Sequence, residues 1–323
     1  MSRSISRVSA LVLLVLAMLA PVAISAQDAT PDASPVAVPG VEGAVAWLID
    51  QQQEDGSWLG FSGEPDVGTS IDAVLALAAA DVSGIDTGDS IDNALAWLDA
   101  DPATADYATS GPGASAKLVL ALVAVGDEDL EIGGTTPLEI VLEGHDANSG
   151  LYGFGLYDHA YSLMALSVTG YEIEPEAISV LETMQAENGG FAWDGSTDEA
   201  MVDSNTTSMV VQALVAAGEG DDIVAAAMDY LRLTVNDQGA GYGIGGEADS
   251  NSTALVAQAF IAVDEDATHL VTQLSTFQNP NGAYFWMVSD VTDNSFSTMQ
   301  AIPAAVELAF PIVPGDVELE EAA

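Results

Sequence analysis

One apolar phrase recurs six times in this chain, and its spacing limits the possible folds more than any other feature. It reads "DVGTSIDAVLAL" from Asp66, "GPGASAKLVLAL" from Gly111 and "GLYDHAYSLMAL" from Gly155. It returns as "DSNTTSMVVQAL" from Asp203, "DSNSTALVAQAF" from Asp249 and "DNSFSTMQAIPA" from Asp293. The closing residues, Leu77, Leu122, Leu166, Leu214, Phe260 and Ala304, fall 44–48 residues apart. A period of that length marks a repeat architecture, in which each unit buries its apolar face against its neighbours.

A more amphipathic segment precedes each phrase, at residues 44–52, 93–101, 138–146, 177–185, 227–235 and 270–278. Apolar residues recur there at helical spacing, with acids and amides between them. The phrases themselves are apolar nearly all round, as a helix buried on every side must be. Each unit is therefore an outer amphipathic helix, a glycine-containing loop and an inner buried helix. Six units make twelve helices. The inner six bury both faces by closing on each other, with the outer six around them: an all-α, single-domain α6/α6 toroid over residues 41–311. No strand-like alternation competes with this reading.

The loops share a phrase of their own, "QQEDGSW" at 52–58 and "QAENGGF" at 185–191. Gly or Asn tolerates the left-handed turn that ends the outer helix. The Gln amide is placed to bond the exposed carbonyls there, and the following aromatic to pack over the turn. Trp58, Tyr152, Phe191, Tyr242 and Tyr284 are the expected clamps, and the second unit lacks the phrase.

Residues 1–26 stand outside the repeat. A basic start with Arg3 and Arg7 leads into an apolar run ending in small residues, the layout of a secretory signal cleaved after Ser25 or Ala26. An uncleaved anchor is the alternative. Residues 27–40 are rich in Pro, Ala and Asp and read as a disordered spacer. Residues 312–323 form an acidic tail. The expected location is extracellular.

Acids number 50 against four Lys and Arg, a net charge of −46. Nucleic acid and anionic membranes are poor partners for such a surface. Two of the four cations lie in the leader, so Lys117 and Arg232 alone remain. The acids read as a solvated, self-repelling shell, with capture of Ca²⁺ or a cationic ligand as a secondary meaning. Cysteine is absent, which excludes disulfides, thiolate metal sites and Cys nucleophiles. No cofactor is otherwise expected.

The Gln–Gly–aromatic phrase and the inner-helix starts resemble the squalene cyclase and protein prenyltransferase β-subunit repeat superfamily, the terpenoid cyclase-like α/α toroids. "MQAIPAAVELAFP" near the end is similar to the closing repeat of its secreted bacterial modules. The resemblance implies the toroid fold and a small-molecule ligand, and it extends to extracellular binders such as transcobalamin and intrinsic factor. Its catalytic residues find no match. Class II cyclases use an acidic D-x-D-D run, whereas "GDDI" at 220–223 and "DEDA" at 264–267 follow inner helices, at the wrong end. The zinc and thioester chemistries of the superfamily need cysteine.

By phase, the starts of the inner helices gather Asp66, Asp158, His159, Asp203, Asp249 and Asp293 at one mouth, with Ser70, Thr207 and Thr253 beside them. Each Asp either caps its own helix or points across the mouth as a ligand, cation or acid site. His159 is either a satisfied structural group or a ligand contact. Phe61, Phe154, Tyr157, Trp193 and Trp286 exceed what the corner clamps need and are candidates to line an apolar cleft. The "NTT" and "NST" triplets at 205–207 and 251–253 fit glycosylation acceptors and, more simply, helix caps.

The expected function is a secreted, non-enzymatic binder of an apolar or planar ligand (terpenoid, corrinoid or glycan) at the mouth. A divergent cyclase-like enzyme using Asp203 or Asp249 is the first alternative. A structural surface protein with a filled barrel is the second.

Overall fold

The computed structural model describes residues 40–315, Glu128 excepted. The leader, residues 27–39 of the spacer and residues 316–323 of the tail lie outside the described residues.

Outer and inner helices alternate as the repeat requires. The first unit pairs α1 (Val41–Asp50) with α2 (Val67–Val82). The second pairs α3 (Ser90–Ala100) with α5 (Pro112–Ala124), and a short α4 (Ala103–Ala108) stands between them. Next come α6 (Pro137–Glu143) with α7 (Leu156–Val168), and α8 (Pro175–Met184) with α9 (Ser204–Ala217). The last units pair α10 (Asp221–Thr234) with α11 (Ser250–Ala262), and α12 (Thr268–Leu274) with α13 (Ser295–Ala305). The helix α4 adds a thirteenth member to the expected twelve, in the unit whose loop lacks the Gln phrase.

The inner helices form a closed ring. Each packs on the next, from α2 through α5, α7, α9, α11 and α13, and α13 returns to α2. Their composition makes this possible. In α2 the run Ala78, Ala79 and Ala80 is fully buried beside Ile71, Val74 and Leu77, so small side chains admit neighbours closely on several sides. The outer helices bury one stripe only, as in α10, where Ile223, Ala227, Met228, Tyr230 and Leu231 face inward.

Four of the outer-to-inner loops are two-stranded antiparallel hairpins, which the sequence does not announce. They are β1 (His145–Asp146) with β2 (Leu151–Tyr152), and β3 (Phe191–Ala192) with β4 (Val202–Asp203). The others are β5 (Val235–Asn236) with β6 (Gly239–Ala240), and β7 (Phe285–Met287) with β8 (Asp290–Asp293). Strands of two to four residues are too short to show alternation.

The loop glutamines do more than cap. Gln52 Nε2 donates to Gly56 O of its own loop and to Ser90 O at the start of α3, both at 2.9 Å. Gln185 Nε2 does the same with Gly189 O at 2.7 Å and Ile223 O of α10 at 2.9 Å. Gln278 Nε2 reaches Gly282 O at 2.9 Å and Gly40 O at 2.8 Å, while its Oε1 accepts from Gly40 N at 3.0 Å. Each amide thus stitches one unit to the next, and Gln278 joins the last unit to the first. The adjoining glycine is needed for the approach as well as the turn. Gly282 has φ +98°, and a Cβ there would lie 2.1 Å from the Gly43 carbonyl oxygen.

Candidate functional site

The hairpins and the N-termini of the inner helices lie together at one end of the toroid. At five corners, a backbone N–H at the aromatic position donates to a side chain one turn into the inner helix. Trp58 N donates to Ser70 Oγ, Phe191 N to Thr207 Oγ1 and Tyr284 N to Thr298 Oγ1, each at 2.9 Å. Ala240 N donates to Thr253 Oγ1 at 3.0 Å. In the third unit the acceptor is a ring nitrogen, with Tyr152 N donating to His159 Nδ1 at 3.1 Å.

That last bond settles the state of His159. With Nδ1 accepting, Nε2 carries the proton and donates to Ala177 O at 2.8 Å. The imidazole is fully buried, and burial first of all pulls its pKa down to about 4. Both nitrogens are occupied by backbone, so His159 does the work of the hydroxyl found at the other corners and offers nothing to a ligand.

The carboxylates divide into caps and others. Asp203 Oδ1 accepts from Thr206 N at 2.7 Å and its Oδ2 from Thr206 Oγ1 at 2.8 Å. Asp249 repeats this with Ser252 N at 2.8 Å and Oγ at 2.7 Å. Both are buried, and burial raises both pKa values, opposed mainly by those donors. Exposed Asp66 caps α2 through Thr69 N and Oγ1, both at 2.7 Å. Asp158 lies inside the first turn of α7 and holds the loop by accepting from Phe154 N at 2.9 Å.

The phase expected for Asp293 is corrected by one residue. Asn294 caps α13, accepting from Ser297 N at 2.9 Å. Asp293 ends β8, exposed, and accepts from Asn279 Nδ2 at 2.7 Å and Asn281 Nδ2 at 2.6 Å. β4 ends on its cap, Asp203, which pairs with Phe191, whereas β8 ends on Asp293, which pairs with Phe285 one residue past the clamp, so the acid stops one residue short of the cap.

The clamp assignment in the fifth unit is corrected as well. Ala240, not Tyr242, pairs with Val235 and donates to Thr253, so Ala240 holds the clamp position. Tyr242 stands two residues further on and is 57% exposed. Phe154, Trp193 and Trp286 stand at that same offset from Tyr152, Phe191 and Tyr284, and all three are exposed. With Phe61 and Phe296 they make a broken aromatic rim. Phe61 lies against Phe296 with ring centroids 6.4 Å apart, and Phe154 against Trp193 at 6.2 Å. The sequence places Tyr242 among the clamps and does not single out Phe296; only the pairing of Ala240 with Val235 moves the tyrosine to the rim.

Two cavities open between these rings. One, of about 320 Å³, is lined by Tyr242, Trp286 and Phe296 together with Asp249, Asn205 and Asn251. The second, of about 220 Å³, is lined by Phe61, Phe296, Leu59, Thr69 and Asp293, and shares Asn294 with the first.

Inside the ring there is little space. A residual cavity of about 30 Å³ lies among Tyr157, Tyr161, Leu75, Met209, Met299 and Gln258, with Phe310 of the C-terminal segment also on its wall. Tyr157 is therefore a wall residue of the lumen rather than a member of the rim, and burial first, then Asp203, raises its pKa. Lys117 lies here too, its Nζ 2.6 Å from Asp72 Oδ1. Burial alone would lower the lysine pKa, but the adjacent Asp72 carboxylate outweighs it and holds the group charged. Among the described residues, no three His, Asp or Glu side chains converge to hold a metal ion.

No family model and no curated relative matches the sequence. Solved structures share the architecture. The type II terpene cyclase MstE from Scytonema superposes with a TM-score of 0.60 at 12% identity, covering 82% of this chain and 96% of that one. A glycosidase E335A variant in complex with glucose gives 0.58 at 13% identity, covering 85% and 96%. A protein from Actinoplanes gives 0.54 at 14%, covering 82% and 97%. At identities this low the likeness shows the fold alone: the chain is an α/α toroid of the architecture seen in these structures.

Proposed function

We propose that this terpenoid cyclase-like toroid is a secreted protein that binds a small apolar or planar ligand at its mouth. The observation that carries this reading is the exposed rim of Tyr242, Trp286, Phe296 and Phe61 around two neighbouring cavities that share Asn294 and Phe296 as walls. Large rings left facing water around a concavity are the usual furniture of a ligand site. The cavity found in the lumen, about 30 Å³, has room for about one water molecule, which supports a ligand seated at the rim over one in the barrel. That disfavours a long terpenoid chain threaded into the ring and favours a compact ring or headgroup.

Catalysis through Asp203 or Asp249 is the second reading, and the burial that raises both pKa values is what favours it. Against it stands the engagement of both oxygens of each carboxylate in capping. A screen of terpenoids, corrinoids and glycans by thermal shift and tryptophan fluorescence tests the binding reading. A hit that Trp286→Ala abolishes without lowering the melting temperature supports it. Failure of every class, or a hit indifferent to Trp286, Tyr242 and Phe296, overturns it.

A further inference from the structure

The carboxylates around the two neighbouring cavities share an unusual property: every donor on them is neutral. Asp249 is held by Ser252, Asp293 by the amides of Asn279 and Asn281, and nearby Asp66 by Thr69. Hydrogen bonds of this kind fix the position of a negative charge without cancelling it. The two Lys and Arg side chains among the described residues are committed elsewhere. Lys117 is paired with Asp72 in the lumen, and Arg232 with Asp229 and Glu265 on the outer wall. The mouth therefore combines oriented, uncompensated carboxylates with exposed aromatic faces, on a chain of net charge −46.

Ligand classes separate on that combination. An anion meets repulsion from the rim and from the whole molecule. A neutral apolar ligand is served by the rings, but it strips water from Asp293 and Asp249 and returns nothing to them. A compact metal ion is strongly hydrated and gains nothing from the rings. An organic cation uses both parts, because the negative faces of Tyr242, Trp286 and Phe296 attract positive charge and its apolar substituents cover the rings.

We infer that the mouth binds an alkylated ammonium group, seated between Trp286, Tyr242, Phe296 and Phe61 with Asp249 and Asp293 as its counter-charges. This rests on the reading of the mouth as a binding site and narrows its ligand to one sign of charge. The cavities, at about 320 and 220 Å³, suit a headgroup of a few heavy atoms rather than a large planar ring system.

The test compares choline with 3,3-dimethylbutan-1-ol, which has the same shape with carbon in place of the charged nitrogen. Tryptophan fluorescence and melting temperature are followed on the protein at low ionic strength and again in about 0.5 M NaCl. Choline is expected to bind at least about tenfold more tightly than the alcohol, with the advantage shrinking in salt. Trp286→Ala should abolish binding of both with the melting temperature unchanged. Asp293→Asn and Asp249→Asn should weaken choline and leave the alcohol alone. Equal affinity for the two compounds overturns the inference while leaving the mouth a binding site. No binding of either compound also overturns it, and a hit from the neutral terpenoid or glycan screen would then show that the broader reading survives. Choline binding that persists in Trp286→Ala places the site elsewhere and overturns it too.

Discussion

Within the ring, Tyr157, Tyr161, Leu75, Met209 and Met299 close to a residual space of about 30 Å³, while at the mouth the same inner helices border cavities of about 320 and 220 Å³. Both regions are rich in aromatic and polar side chains, so composition does not separate them. Connectivity does. In the lumen, side chains come from consecutive turns of helices packed on both sides, and each ring has a partner surface. At the mouth, the rings come from the loops and hairpins before the inner helices and, with Phe296, from the first turn of α13, where no further unit covers them. A toroid built this way keeps its core shut and gathers exposed aromatic surface at the mouth.

The largest expected contrast between rim and core comes from truncating one ring of each kind two residues apart. Phe191 is fully buried and Trp193 is 46% exposed. Phe191→Ala is expected to cost roughly 3–5 kcal/mol of stability, and Trp193→Ala under about 1 kcal/mol. Denaturant melts of the two variants decide it, and equal losses would merge rim and core.

Acidification probes the corner held by a ring nitrogen. The folded His159 pKa, about 4, lies below its ordinary value of 6.5. Below pH 6.5 the unfolded imidazole takes up a proton that the folded one refuses. Its contribution to stability is therefore complete above pH 6.5 and is lost as the pH falls toward 4, by roughly 3 kcal/mol. Asp203 and Asp249 act in the opposite sense, since their raised folded pKa values ease folding as the pH falls. Melting temperature against pH for the parent and His159→Asn should show a flatter acid limb in the variant.

Unit stitching gives a smaller effect. Gln278→Ala removes two hydrogen bonds across the join of last and first units and one within its own loop, and about 1–2 kcal/mol is expected at this partly exposed site. Gln52→Ala and Gln185→Ala should match it if all joins are equivalent, as chemical denaturation of the three would show.

The mildest changes are expected at the paired caps. Asn caps nearly as well as Asp, so Asp203→Asn and Asp249→Asn should each cost under about 1 kcal/mol and by similar amounts. A variant that kept its melting temperature but alone lost turnover of a screened compound would move the reading from binder to enzyme.

The sequence disclosed the toroid because its evidence is periodic: six phrases at nearly equal spacing, each too apolar to face water. Site detail depended on register, which a repeated phrase cannot fix to one residue. "GAGYG" offers Tyr242 to the clamp by likeness to "GSW" and "GGF", but pairing of Ala240 with Val235 puts the tyrosine outside. "TDNS" shows an acid where "ADSN" shows one, yet Asp293 pairs with Phe285 rather than with the clamp Tyr284, and the cap falls to Asn294. His159 was legible as an oddity, and only its geometry identified it as a substitute hydroxyl. The extra helix α4 left no periodic trace because six residues are too few to show one.

The bonds between Gln278 and Gly40 have a consequence for how the toroid comes apart. An open array of helical repeats has terminal units with one neighbour each, and it can lose them singly from either end. Here the first and last units are each other's neighbours through α13 with α2 and through the Gln278 join, so the series has no end at which to fray. Releasing any unit breaks two interfaces at once. Unfolding should accordingly be a single cooperative transition, and amide exchange should show comparable protection in all six inner helices instead of a gradient from middle to ends.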